Sequence, residues 1–241
     1  MNPLKNNNCV ISLSLLFMFM LSSCTKEEPD VDVYEIYQLS GFEVKVEKRA
    51  LEINAPLTQK AIDRLEEDLQ EIANLGLKHS ILESLQSVTI FLDWNTSSRL
   101  AVYHPSLDWL VENGYAEEKF ESVEIPSVGK FLGRTALNQP YIILHELAHA
   151  YHHQVLGPFN ESVTEAYNNA ISLGLYRDVS FETGTGIIIA PLAYAYTDER
   201  EYFAELTEAY FGWNAYFPFI KADLEIYDPT GFDLIEAAWE L

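Results

Sequence analysis

Residues 140–158 read PYIILHELAHAYHHQVLGP, and the spacing inside that stretch organises the reading of the whole chain. Pro140 suits the first turn of a helix, and Gly157-Pro158 ends one. Tyr141, Ile142, Leu144, Leu147, Ala148 and Ala150 leave little polar surface. The expected helix over 140–156, capped by Asn138 or Gln139, is therefore buried. His145 and His149 stand four residues apart, on one face and about 6 Å from each other along the axis. Two unliganded imidazoles in a buried helix are costly, whereas two that share a metal ion are not. Glu146, one step round, can reach a water on that ion. Four of the six histidines fall within 145–153, which strengthens a metal reading with Zn2+ as the expected ion.

A catalytic zinc needs a third protein ligand and an open position. His152 and His153 lie one turn further along the same helix and cannot fold back without a break, so they are expected at the surface or behind the ligands. The places where a thermolysin-type glutamate would fall hold Asn168 and Asn169. Glu201, in EREYFAE (199–205), is the better candidate, because Thr197 or Asp198 can cap a helix that places it in the first turn. Glu205 is one turn on, placed to take the outer N–H of a ligating histidine.

Around this centre the pattern is α+β: strands early, helices late. Alternation over 33–46 predicts one or two strands. Ile62, Leu65, Leu69 and Ile72 mark a helix that starts at Pro56 and stops before Gly76. Strands are expected at 88–92 and 100–103, a short helix at 106–112, and an edge strand at 122–125 cut by Pro126. Helices follow over 161–175 and from about 198 to 211, separated by a Gly- and Ile-rich extended stretch over 184–195.

The N-terminus reads as an address. Lys5 precedes an apolar run over 10–21, which ends in Leu21-Ser22-Ser23-Cys24 and resembles a bacterial lipobox. Residues 1–23 are then a lipoprotein signal peptide, and Cys24 is the lipid attachment point. Residues 24–32 form an acidic linker, and 33–241 one domain. Lys26-Glu27-Glu28 is similar to a tag that directs some bacterial lipoproteins outward, so the expected location is the outer membrane or cell surface. With Cys9 in the leader, Cys24 is left alone and there is no disulfide framework. A formal net charge of −22 argues against nucleic acid as a partner and leaves a peptide or protein substrate.

The segments HELAHAYHH (145–153) and YAYTDEREYFAE (194–205) resemble the catalytic domain of the anthrax lethal factor peptidases. Together with YHPSLDWL (103–110), SVEIPS (122–127) and EAYFGWNAYFPF (208–219), they also look like a group of secreted zinc-metallopeptidase-like proteins of bacteria and fungi. The resemblance implies a zincin-like fold: a small N-terminal sheet with a backing helix, an active-site helix and a helical C-terminal part. It implies His145, His149 and Glu201 as metal ligands, Glu146 as catalytic base and Glu205 as a carboxylate behind the ligands. Tyr194, seven residues before Glu201, would stabilise the oxyanion. The implied activity is zinc-dependent peptide hydrolysis. The alternative is a surface binding lipoprotein with a structural or vestigial zinc, its aromatic 210–219 segment lining a ligand surface.

Overall fold

The computed structural model describes residues 33–95 and 99–241. The leader, Cys24 and the acidic linker lie outside the described residues. The described chain opens on a hairpin of β1 (Tyr34–Leu39) and β2 (Phe42–Glu47). Ser40 and Gly41 both have positive φ, the geometry of a two-residue turn between twisted strands. Glycine is required at 41: φ is +90°, and a Cβ there would sit 2.2 Å from the Gln86 amide.

Helix α1 (Lys48–Ala73) starts about two turns earlier than its pattern predicts. Asn54 interrupts it with φ −153° and ψ 75°, and its Oδ1 accepts from Leu57 N at 3.1 Å, so regular helix restarts at Pro56. Beyond that restart Ala61, Ile62, Leu65, Leu69 and Ile72 form the buried stripe that backs the sheet. Helix α2 (His79–Gln86) leads into β3 (Ile90–Leu92); then come β4 (Val102–Tyr103), α3 (Leu107–Glu112), β5 (Val123–Ile125) and α4 (Val128–Thr135).

The five strands are ordered β1-β2-β3-β5-β4. β2, β3 and β5 run parallel, and β1 and β4 are antiparallel to their neighbours. The 122–125 segment was expected at the edge and is not: β5 is paired on both sides, and β4 is the edge. Pro126 lies past the last β5 residue, so it ends the strand without removing a donor from its body. Buried on every residue, β3 and β5 are the central strands.

Across the core from the sheet runs α5 (Ile142–Tyr151), continued by a π-helical turn over His152–Leu156 and ended by Gly157 at φ +92°. No side chain caps its start. The expected cap Asn138 is committed elsewhere, its Nδ2 donating to Glu182 O at 2.9 Å. Helix α6 (Glu161–Ser172) follows, capped by Asn160. A separate hairpin then forms from β6 (Arg177–Glu182) and β7 (Ile187–Leu192). β7 answers to the expected extended stretch; β6 has no matching signal, since its alternation is weak. Helix α7 (Glu199–Phe211) packs on α5, with Asp198 Oδ1 accepting from Arg200 N and Glu201 N. Helices α8 (Lys221–Tyr227) and α9 (Pro229–Ala238) close the domain over α6 and α7. The architecture is mixed α+β.

Candidate metal centre

Helix α5 carries the first two side chains of the centre and α7 the third. His145 Nε2, His149 Nε2 and Glu201 Oε2 form a triangle with every side 3.1 Å. Local sequence explains both placements. Four-residue spacing stacks the two imidazoles on one face of α5, and the Asp198 cap points the first turn of α7 at them. Donor atoms about 2.05 Å from a tetrahedral metal lie about 3.3 Å apart, so the triangle fits one four-coordinate ion with a small adjustment. Imidazole with carboxylate is a donor set suited to zinc. Among the described residues, both groups of three or more donors able to hold an ion include His145.

The charges are set by this proximity. Burial would raise the Glu201 carboxyl, but the hydrogen bonds of His145 and His149 outweigh it and hold it well below the usual range. Burial would lower the His145 imidazole, yet Glu201 and Glu208 hold it well above its ordinary value.

Behind His145 the structure corrects one expectation. Its Nδ1–H donates to Glu208 Oε1 at 2.6 Å, whereas Glu205 lies 3.9 Å away. The Glu205 carboxyl is buried, with one oxygen unpartnered, and is pushed up to about 8 by burial and by the charge of Glu208. Glu201, Glu205 and Glu208 share one face of α7, and the seven-residue step from 201 to 208 is the signal that would have found the partner. Helix spacing alone cannot say which of two inward carboxylates meets the ring.

Glu146 is buried at the base of the cleft, and its Oε2 accepts from the backbone N of Tyr103 at 2.8 Å. No side-chain signal could have pointed to that donor. Tyr194 lies over the centre: its ring stacks on His145 at 6.2 Å and its hydroxyl donates to Glu201 Oε1 at 3.1 Å. Burial and the Glu201 charge hold the phenol well above its ordinary value, so it keeps its proton. His152 is buried against Phe203, and burial pushes it down to about 4. His153 Nδ1 lies 3.0 Å from the Tyr103 hydroxyl. Neither joins the triangle. A cleft of about 810 Å³ opens onto these groups, walled by β4, the start of α7 and the Pro158-Phe159 turn.

Searches of family models, curated proteins and solved structures found no match to this chain.

Proposed function

We propose that this chain is a zincin-like, zinc-dependent peptidase, held to a bilayer through Cys24. The observation that carries the reading is the His145–His149–Glu201 triangle, with a buried glutamate beside it and an open cleft in front. Bound zinc supplies Lewis-acid polarisation of a carbonyl and brings the acidity of a water near neutral pH.

The remaining work falls to the chain's own groups. The Tyr103 N–H holds Glu146 Oε2 in place, which leaves Oε1 to take a proton from the attacking water and return it to the departing amine. The protonated Tyr194 hydroxyl, bonded to Glu201 at rest, is placed to turn and donate to the oxyanion. Glu208 fixes the His145 tautomer by accepting its Nδ1–H, so that Nε2 presents a lone pair. An extended substrate backbone would lie along β4, the edge strand of the sheet. The backbone bond from His104 N to Ser122 O turns His104 toward β5, so strand alternation turns Ala101 and Tyr103 outward along the cleft.

The test is digestion of a mixed peptide library by the purified chain, with and without a chelator, read by mass spectrometry. The reading expects cleavage that stops with chelation and returns with zinc. Zinc binding at one equivalent with no product in any library would replace it with a binding role.

A further inference from the structure

The β6–β7 hairpin is closed on one side only. On the outer side of β6, Glu182 N–H donates to Ala215 O at 2.9 Å and Phe217 N–H donates to Ser180 O at 2.8 Å. These bonds turn Ser180 and Glu182 away from β7. By strand alternation, Val179 and Phe181 then make the ladder with Ala190 and Ile188. Ile187 and Ile189 therefore present their backbone to the other side, where none of the described residues pairs with them. Among the described residues, two N–H groups and two carbonyls are without a backbone partner along that edge.

The side chains compound the exposure. Ile187, Ile188 and Ile189 are 61%, 54% and 62% exposed. No charge interrupts 183–192 in a chain of net −22. Native sheets commonly blunt such an edge with charge or cover it, and here Pro191 alone blunts it.

Both ends of the hairpin are tied to the cleft. At its tip the Glu182 carbonyl accepts from Asn138, next in sequence to Gln139, which lines the cleft. At the other end Leu192 is two residues from Tyr194. The C-terminal end of β7, rather than the hairpin tip, thus leads a chain lying along that strand to the site.

We propose that the outer edge of β7 is an exosite, which takes up an extended, apolar, uncharged segment of the polypeptide substrate by strand pairing and feeds its neighbouring residues into the cleft. The inference rests on the peptidase reading for the word substrate, but not for the binding. A bilayer fits less well, since it would leave the outward N–H and carbonyl groups unpaired in hydrocarbon. A second copy paired edge to edge is told apart by the oligomeric state in the test below.

The test uses the full chain carrying Glu146→Gln, so that nothing is cleaved. The probe is a fluorescein-labelled Val-Thr repeat peptide of about 12 residues, long enough at roughly 3.3 Å per residue to cover β7 and reach the cleft. Ile189→Pro removes one outward N–H and leaves the ladder bonds of Ile188 and Ala190 intact. Ile187→Ser with Ile189→Ser keeps the donors and removes the apolar surface. Each is expected to weaken probe binding about three- to ten-fold, the net worth of one hydrogen bond, with unchanged zinc affinity and thermal midpoint. If Ile189→Pro fails to fold, the serine pair carries the test. Binding within two-fold of the parent, about the resolution of one weak hydrogen bond, overturns the proposal. So does a parent dimer that the variants convert to monomer, or zwitterionic vesicle binding lost in the variants while probe binding stays. Failure of the chain to cleave any peptide would count against the peptidase reading and leave this result standing.

Discussion

Of the buried charged side chains among the described residues, a group beside the sheet and a group between α5 and α7 differ in what stands at their centre. Beside the sheet, the Lys119 ammonium lies 2.5 Å from Asp93 and 2.6 Å from Glu124, and His104 lies 2.8 Å from Glu124. That group contains its own cation. Between α5 and α7, the carboxylates of Glu201 and Glu208 meet imidazole, with Glu205 buried next to them. Imidazole is a weak and reversible cation, and burial, with the charge of Glu208 added, lifts Glu205 to about 8. A buried cluster with a resident ammonium is complete as a structural element. One built from carboxylate and imidazole, open to a cleft, is short of positive charge, which the proposed metal ion would supply.

Four measurements break or sharpen that contrast. The largest effect is expected at Glu146. Glu146→Gln lowers kcat by about 1,000-fold, within the range of general-base removal, while metal analysis still finds zinc at one equivalent. Turnover retained in that variant removes the base from the mechanism.

Lys119→Met strands two carboxylates and destabilises the fold by about 3–5 kcal/mol in urea titrations. Its zinc affinity stays that of the parent, since the two clusters share no partner. Chelation lowers the thermal midpoint of both proteins by the same amount; unequal shifts would mean that the clusters are coupled.

Behind the triangle, Glu208→Gln weakens zinc binding about 10- to 100-fold, the usual cost of losing the carboxylate that orients a ligating imidazole. Glu205→Gln, which removes no bond to His145, changes it by less than about three-fold, a fraction of that cost. Competition titration against a chromophoric chelator reads both. The reverse order would restore Glu205 as the partner.

The smallest effect is a pH slope. Burial lifts the Asp93 carboxyl to about 6 despite Lys119, whereas the bonds from His104 and Lys119 outweigh burial at Glu124 and hold it down at about 2. A raised folded pKa means stability present below the unfolded value near 4 and lost as pH rises through 6. A depressed one means stability present above the unfolded value near 4.5 and lost as pH falls toward 2. Between pH 4 and 6 the Asp93 contribution therefore declines. Asp93→Asn flattens the fall in unfolding free energy across that window, read by urea titration at each pH, by an amount on the order of 1 kcal/mol. An unchanged slope would locate the titration elsewhere.

How much was readable in advance follows from how far apart the deciding residues lie. The α1 stripe, the Asp198 cap, the stop at Gly157 and the pairing of His145 with His149 all depend on residues within a few positions of one another. Periodicity and capping capture such features. Glu201 was also legible, because a capped first turn aims its acids. The strand order was not: Pro126 marks where β5 ends, but nothing local says which neighbour lies on either side. The capping of α5 was misread because Asn138 spends its amide on the hairpin, far along the chain.

The sequence by itself determined the donor chemistry, two imidazoles on one helical face and an acid at the start of another, because helix geometry converts spacing into direction without outside help. Only the tertiary structure decided that Glu208 rather than Glu205 meets His145, that a backbone N–H from β4 holds Glu146, and that β7 turns an unpaired edge outward. Each of those is a contact between segments whose approach is set by packing of the whole core, and packing is a property no single stretch of residues carries.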